Sequence, residues 1–483
     1  MNFNNIKKNF NNILYVYAVI ALMLPNIALC FTEHLSLWAS AANILLPLGI
    51  YALLMSLCKK TGKMVWWCFI LIFFAAFQLV LLYLFGKGVI AVDMFLNLVT
   101  TNPGEAMELL DNLVPAVAGV FIVYLPLLIL GIVSIRGKKY PLLSDAWKKT
   151  SRKWGVGFAI LGLFSLILSY IQVENYKMRD QLYPVNVCYN LCLAVQRNNA
   201  SINYQEASKN FKFDAKPSYQ DAVSDSHLAD STEIYVMVIG ETARAHNFSL
   251  YGYKRDTNPL LSKTEGLMVF DKATTQSNTT HKSVPMLLTA ATASDYSVLY
   301  REKGIIAAFK EAGFHTSFIS NQLPNHSFID FLGMEADSCL FIKEAERAKD
   351  NVSDMELLPI VKGILEKGRK KEFIVLHTYG SHFKYNERYP RNMAHFLPDN
   401  ESQAKYENRQ QLVNAYDNTI RFTDKFLYEL SSILSSSACQ SAWLYTSDHG
   451  ENIYDDNRKK FLHASPNPSE YELRVPLLAW TST

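Results

Sequence analysis

The chain has 483 residues, of which 49% are hydrophobic, and a formal net charge of only +3. This length exceeds what one hydrophobic core usually holds, so we expect at least two folding units. The small basic excess lies in loops between apolar segments, which argues against a nucleic-acid partner.

Five apolar stretches in the N-terminal part approach the ~20 residues that a helix needs to cross a ~30 Å hydrocarbon core. They cover residues 13–31, 36–58, 65–85, 114–135 and 154–173. A cleaved signal peptide is the alternative for the first stretch, but no small-residue cleavage site leads into a soluble domain and a second stretch follows at once. The sequence therefore predicts an α-helical membrane domain of five transmembrane helices over residues 1–173.

Basic residues give the orientation of these helices. They lie before the first stretch, after the second, and between the fourth and fifth: Lys7, Lys8, Lys59, Lys60, Lys63, Arg136, Lys138, Lys139, Lys148, Lys149, Arg152 and Lys153. The positive-inside rule places all three segments in the cytoplasm. The loop over 86–113 is acidic instead, so we expect this loop and the C-terminal part of the chain on the outer side.

Residues 174–232 are expected to connect the membrane helices to an outer domain. Apolar residues recur at helical spacing over 183–195, which predicts a helix along the membrane surface or one that packs on the outer domain. Residues 196–232 are polar and lack periodicity. They predict a linker.

Short apolar runs alternate with helical patterns over residues 233–483. The runs predict strands over 234–239, 316–320, 373–377, 442–446 and 475–480, and the helices lie over 303–312, 357–368 and 408–434. Strands separated by helices predict an α/β domain with a largely parallel sheet. Sites in such sheets form at the carboxyl ends of the strands, so the residues directly after each run are the candidates.

Carboxylate and imidazole groups follow two of these predicted strands. Glu241 follows the first strand, and Asp448 and His449 follow the fourth. At one edge of a sheet the three side chains would offer the oxygen and nitrogen ligands that zinc accepts. An Asp-His-Gly turn without a metal is the alternative.

Two more histidines lie near predicted strand ends. His382 follows the third strand and His463 lies shortly after the fourth. A single histidine is usually a satisfied surface or core group, but several at strand ends favour a functional site. His382 and His463 are therefore candidates for binding phosphate or for acid and base catalysis.

The segment over 274–285 is rich in hydroxyl side chains and precedes an apolar helical run. A hydroxyl at a helix amino terminus suits phosphoryl chemistry, because the free amides and the helix dipole favour an incoming anion. A threonine alkoxide is scarce at neutral pH unless a metal lowers the pKa of the hydroxyl. Simple capping of the helix is the alternative.

Two stretches resemble the membrane phosphoethanolamine transferases of the alkaline phosphatase and sulfatase superfamily, which include lipid A-type and colistin-resistance-type transferases. They are residues 238–253, VIGETARAHNFSLYGY, and residues 446–451, TSDHGE. The resemblance extends over essentially the whole chain. It implies a bacterial inner-membrane protein with five transmembrane helices and a sulfatase-like α/β catalytic domain in the periplasm.

The resemblance also implies a catalytic zinc site. The zinc ligands would be Glu241, Thr280, Asp448 and His449. Thr280 would be the nucleophile, because the family places it five residues before the proline of a Ser-Val-Pro motif. Whether one zinc ion or two are bound is left open.

Further residues match family positions that bind substrate. His382 and His463 correspond to histidines that bind donor phosphate or a second zinc. In the outer loop, Asn97, Thr101 and Glu105 keep the four-residue spacing of family side chains that contact the phosphoethanolamine head group. This spacing puts all three on one helical face, where Glu105 would pair with the donor ammonium.

The implied reaction is zinc-dependent transfer of phosphoethanolamine from phosphatidylethanolamine to an envelope acceptor through a phosphothreonine-type intermediate. The implied acceptor is lipid A, a core sugar or another glycan, and we expect a monomer. The alternatives are a glycerol-phosphate transferase of the lipoteichoic-acid synthase type and a sulfatase-like phosphodiesterase. The head-group residues argue against the first alternative. Thr280, in place of the cysteine or serine that sulfatases modify, argues against the second.

The sequence departs from the family pattern at three positions. Gln276 and Met286 stand where many relatives have disulfide-forming cysteines, so we expect packing to hold this loop. His326 stands near the position of a family lysine that contacts phosphate. A disulfide between Cys339 and Cys439 and a pair of free thiols both remain open.

Overall fold

A computed structural model of the chain describes residues 7–482 except 34, 86–87, 91, 93, 96–102, 138, 174–175, 214–231, 325–326, 346–351, 401–404, 438, 458 and 465–467, and except the side chains of 84–85, 103–113, 201–202 and 345. The chain divides into two compact units. The first contains the described residues of Met1–Leu96 and Leu109–Gln196, and the second those of Asn97–Glu108 and Arg197–Thr483. The predicted domain boundaries at residues 173 and 232 stay a prediction.

The N-terminal part is helical. Its helices are α1 Phe10–Thr32, α2 Leu37–Met55, α3 Thr61–Trp67, α4 Phe69–Phe85, α5 Pro103–Arg136, α6 Asp145–Gln172, α7 Met178–Gln181 and α8 Val185–Ile202. Among the described residues, α1, α2, α6 and the Val114–Arg136 part of α5 are long and apolar enough to cross a membrane. The pair α3 and α4 is bent by 65° and makes a fifth span only if it is counted as one. The predicted third helix over 65–85 is therefore broken rather than straight.

Contacts at the start of α3 hold its first turn against two neighbouring helices. The backbone N–H of Thr61 donates to Asn11 Oδ1 at 3.1 Å, and the Thr61 hydroxyl donates to the Asn11 carbonyl at 2.8 Å. Gly62 lies so close to α5 that a Cβ atom would be 2.1 Å from the Gly131 carbonyl oxygen. The two hydrogen bonds hold α3 against α1, and the small Gly62 lets α3 approach α5 closely.

The second unit is built on a seven-stranded sheet of order β2-β9-β6-β1-β5-β3-β4. Its strands are β1 Glu233–Gly240, β2 Leu267–Phe270, β3 His315–Ser320, β4 Ser338–Phe341, β5 Lys371–His377, β6 Gln440–Ser447 and β9 Leu477–Thr481, and the hairpin β7 Asn452–Ile453 with β8 Phe461–Leu462 lies outside it. The five strands from β6 to β4 run parallel, and β9 is antiparallel to β6 and β2 to β9. The predicted α/β domain is confirmed.

Helices cover the sheet and complete the core. They are α9 Tyr204–Ala207, α10 Thr280–Leu288, α11 Ile305–Glu311, α12 Phe328–Gly333, α13 Ile342–Ala345, α14 Leu357–Leu365, α15 Arg409–Ser435 and α16 Glu470–Leu473. Val284 of α10 and Leu332 of α12 pack in one core with Ile239 of β1 and Val375 of β5. Because β1 and β5 are buried and central, this packing fixes α10 against the sheet.

The predicted linker over 196–232 begins with ordered structure instead. Helix α8 runs to Ile202 and α9 follows it. Tyr204 is only 2% exposed, and its hydroxyl donates to Glu335 Oε1 at 2.5 Å. A single buried aromatic side chain in a polar segment produces no periodicity, so the sequence pattern did not predict that Tyr204 is buried in the domain. Elsewhere in the unit, Cys339 and Cys439 are free thiols.

Candidate metal centre

Three predicted zinc ligands meet at the carboxyl edge of the sheet. Glu241 follows β1, and Asp448 and His449 follow the neighbouring strand β6. All three side chains are buried, and each offers a ligand atom within 4.8 Å of the others. His449 Nε2 lies 3.4 Å from Glu241 Oε1 and 3.2 Å from Asp448 Oδ2. The parallel pairing of β1 and β6 thus brings the side chains of two motifs that are distant in sequence into one cluster.

Thr280 joins this cluster from the first turn of α10. Its Oγ1 lies 3.2 and 3.3 Å from the two carboxylate oxygens of Glu241 and 3.1 Å from His449 Nε2. Thr279, not Thr280, occupies the cap position of the helix. The Thr280 hydroxyl therefore faces the candidate ligands rather than the free amides of α10.

The hydrogen-bond pattern of His449 and Asp448 fits a bound cation. His449 Nδ1 lies 2.9 Å from the Gly450 carbonyl, which can only accept, so Nδ1 carries a hydrogen. The other ring nitrogen, Nε2, faces the carboxylates, where it can carry a proton or bind a metal through its lone pair. Asp448 Oδ2 is buried and accepts no hydrogen bond from the described residues. Buried acceptors that face each other need a positive charge between them, and these donor types suit zinc.

The electrostatics of the buried groups lead to the same conclusion. Burial on its own would raise the pKa of Glu241, but the imidazole of His449 beside it lowers that pKa to about 2. Burial raises the pKa of Asp448 to about 7, and the charge of Glu241 adds to the rise. Burial opposes a charged His449 ring, yet the two carboxylates raise its pKa. Without a metal, a proton on His449 takes the place of the cation.

Hydrogen bonds orient both carboxylates. Thr242 Oγ1 donates to Glu241 Oε1 at 2.7 Å, and Gln322 Nε2 donates to Glu241 Oε2 at 3.0 Å. Asp448 Oδ1 accepts from the backbone amides of Thr242 at 3.1 Å and His449 at 2.7 Å. Thr242 has a φ of 62°, a left-handed conformation that turns its amide and hydroxyl toward different ligands. Gln322 was not among the predicted site residues, because a glutamine after a strand is not a typical metal ligand and its position alone does not indicate a role.

Both predicted catalytic histidines lie at this edge of the sheet. The ring of His463 packs on that of His449 with centroids 4.1 Å apart, and its Nδ1 lies 3.1 Å from Oε1 of the buried Glu451. Burial and the neighbouring His449 lower the pKa of His463 well below its ordinary value. His382 stacks on Tyr379 with centroids 5.1 Å apart, and its charge helps to lower the pKa of Glu241.

Hydrogen bonds as well as packing hold the segment before α10. Thr275 Oγ1 donates to the Asp448 carbonyl at 2.6 Å and lies 2.7 Å from Ser283 Oγ, which also donates to that carbonyl. Met286 packs in the core, as expected. The expectation of packing alone was therefore incomplete, since the backbone of a candidate ligand directly ties down the helix that carries Thr280.

Four predicted site residues lie outside the described structure. They are Asn97, Thr101, the side chain of Glu105, and His326. Their roles stay predictions.

Known proteins are similar to this chain in sequence. The sulfatase family matches residues 233–483. Phosphatidylethanolamine transferase Mcr-1 from Escherichia coli is 28% identical over 419 residues, which cover 80% of this chain and 73% of Mcr-1. Kdo(2)-lipid A phosphoethanolamine 7''-transferase from Salmonella typhimurium is 30% identical over 270 residues, 52% of this chain and 45% of that relative.

A solved structure shares the fold over both parts of the chain. It is the integral membrane protein lipooligosaccharide phosphoethanolamine transferase A from Neisseria meningitidis, with a TM-score of 0.72, 19% identity, and coverage of 97% of this chain and 88% of that one. The predicted combination of membrane helices with a sulfatase-like α/β domain is confirmed. The relatives are named transferases, which confirms the prediction of an enzyme. The chain belongs to the sulfatase family, and its resemblance to the membrane phosphoethanolamine transferases within that family is confirmed.

Proposed function

We propose that the chain transfers phosphoethanolamine from phosphatidylethanolamine to an acceptor in the bacterial envelope, with zinc at the described site. The position of Thr280 carries this proposal. Its hydroxyl lies 3.1 Å from His449 Nε2 and within 3.3 Å of both carboxylate oxygens of Glu241. A metal held by Glu241, Asp448 and His449 would therefore also meet the Thr280 oxygen, as an activated nucleophile requires.

The proposed reaction has two steps on the Thr280 oxygen. When bound, zinc lowers the pKa of this hydroxyl and stabilises negative charge on the phosphoryl oxygens. Thr280 Oγ1 bonds to the donor phosphorus as the bond from phosphorus to the glycerol oxygen breaks, and diacylglycerol leaves with a proton on that oxygen. An acceptor oxygen then attacks the phosphothreonine, the acceptor loses its proton, and the Thr280 hydroxyl is restored.

His463 and His382 are proposed to bind donor phosphate and to move these protons. The Nδ1 atom of His463 faces Glu451 at 3.1 Å, which leaves Nε2 for a substrate oxygen. Burial favours the neutral form of this ring by lowering its pKa, and a neutral imidazole can accept a proton. His382 follows β5 and stacks on Tyr379, and a positive charge on its ring lowers the pKa of Glu241.

The substrates are proposed from the relatives and from the outer loop. Mcr-1 is named a phosphatidylethanolamine transferase, and the Salmonella relative is named for Kdo(2)-lipid A. We propose that Asn97, Thr101 and Glu105 bind the donor head group, with the carboxylate of Glu105 against the ammonium. Lipid A or another envelope glycan is the proposed acceptor, and a monomer the proposed active form.

The expected location of the catalytic domain is testable by fusion. The basic segments around the membrane helices place it outside the cytoplasm, in the periplasm of a cell with an inner membrane. Alkaline phosphatase fused after Thr483 should be active, whereas a green fluorescent protein that folds only in the cytoplasm should stay dark there. Fluorescence of the second fusion together with an inactive phosphatase would reverse the proposed orientation.

A donor assay tests the proposed reaction. Purified full-length chain with zinc, phosphatidylethanolamine and lipid A should release diacylglycerol in equal amount to the phosphoethanolamine that mass spectrometry finds on lipid A. Phosphatidylglycerol in place of phosphatidylethanolamine should give little diacylglycerol. A preference for phosphatidylglycerol would indicate a glycerol-phosphate transferase instead, and free phosphoethanolamine without an acceptor product would indicate a phosphodiesterase.

A further inference from the structure

Gln322 lies beside the metal centre without being one of its candidate ligands. It follows β3, and its amide nitrogen lies 3.0 Å from Glu241 Oε2 and 3.1 Å from the Thr378 carbonyl oxygen. Its backbone N–H donates to Ser320 Oγ at 3.1 Å. Both neighbours of the amide nitrogen are acceptors only, so the two side-chain hydrogens are used and the orientation of the amide is fixed.

Gln322 and Thr242 each donate a hydrogen bond to a different carboxylate oxygen of Glu241. The Thr242 hydroxyl donates to Oε1 at 2.7 Å, and the Gln322 amide donates to Oε2. Together they fix the rotation of the carboxylate, so that its remaining lone pairs face His449 Nε2 and the Thr280 hydroxyl. A glutamine does this without a positive charge, and therefore without the repulsion that a lysine or arginine would exert on a metal ion.

Gln322 also connects three strand ends. Glu241 follows β1, Thr378 follows β5 and Gln322 follows β3, and these strands are neighbours in the sheet. The Thr378 N–H in turn donates to the Ile239 carbonyl at 3.0 Å. The amide of Gln322 is therefore held between the ends of central, parallel strands of the sheet.

We propose that Gln322 is a positioning residue that sets the zinc affinity of the site by orienting Glu241. The inference rests on the proposed zinc-dependent function. Side chains that orient metal ligands typically contribute about 10–100-fold to metal affinity or activity. Gln322 acts on the ligand Glu241 and not on the substrate, so replacing it should weaken zinc binding before it affects substrate binding.

The test compares two Gln→Met variants of the full-length chain in detergent. Gln322→Met keeps the length of the side chain but removes both donors, and it should raise the zinc Kd by about 10–100-fold in competition with a coloured chelator. Gln410→Met is the matched control, since it removes a 3.0 Å bond to Asn414 within α15 and should leave the zinc Kd unchanged. Excess zinc should return the turnover of Gln322→Met toward the wild-type value, because all the ligands remain.

Three outcomes separate this inference from the proposed function. Equal zinc Kd values for Gln322→Met and Gln410→Met would overturn the positioning role. A loss of turnover that excess zinc does not restore would assign Gln322 a purely structural role and overturn the positioning role as well. A lower melting temperature of Gln322→Met in the presence of chelator would do the same. If the wild-type chain binds no zinc, the proposed function itself fails.

Discussion

Replacing Thr280 by alanine should reduce phosphoethanolamine transfer by several orders of magnitude while the chain still folds and binds its donor. The reason is that Thr280 Oγ1 is the atom proposed to bond to phosphorus, so its loss removes the covalent pathway itself. If the hydroxyl only capped α10, the change would cost about 1 kcal/mol of stability and leave turnover near normal. The structure places Thr279 at the cap position, which makes the second outcome unexpected.

A covalent adduct identifies the nucleophile directly. Wild-type chain incubated with phosphatidylethanolamine but no acceptor should gain phosphoethanolamine on the peptide over 277–282, and Thr280→Ala should gain none. Thr280→Ser keeps a hydroxyl in place and should retain substantial activity. Thr279→Ala is the matched control, because it removes a neighbouring hydroxyl that contacts Ser277 and not the candidate ligands. An active Thr280→Ala enzyme, or an adduct on Thr242, would refute the assignment.

The central strands, and the side chains that meet at their carboxyl ends, could be predicted from the sequence for one physical reason. Strands β1, β5 and β6 are central and largely buried, so each contains a continuous apolar run with a sharp end. Glu241, Asp448 and His449 stand directly after such ends, where parallel strands bring side chains together. The edge strands β2 and β4 have only four residues each and are largely exposed, so their runs are too short to be recognised as strands.

Other parts of the site depend on contacts that no local pattern encodes. The residues alone left Thr280 open between a nucleophile and a cap, and only the family resemblance distinguished them. Gln322 gains its contact with Glu241 from the order of β1, β5 and β3 in the sheet, which the sequence did not specify. Tyr204 reaches its partner Glu335 across more than a hundred residues of chain, so the spacing of its neighbours could not reveal it.

Replacing Asp448 by alanine should abolish zinc binding and transfer together. Zinc in proteins usually has four ligands, and this change removes one that two backbone amides hold in position. The backbone carbonyl of residue 448, which ties down Thr275 and Ser283, remains, so α10 should keep its place. Removing the carboxylate relieves repulsion with Glu241 but leaves these two buried amides without an acceptor, so the metal-free variant should still unfold cooperatively, at a temperature somewhat below that of the metal-free wild type.

Metal content and thermal unfolding test this expectation together. Zinc at about 1,000 times its Kd stabilises a folded chain by about 4 kcal/mol, so the wild-type melting temperature should rise with zinc and that of Asp448→Ala should not. His449→Ala should behave in the same way, whereas His395→Ala, which removes a ring packed on Phe396, should keep the zinc-dependent rise. Full zinc content in purified Asp448→Ala and His449→Ala would exclude these side chains as ligands. The combination of lost zinc with a retained cooperative unfolding transition in the absence of metal distinguishes a missing ligand from a misfolded domain.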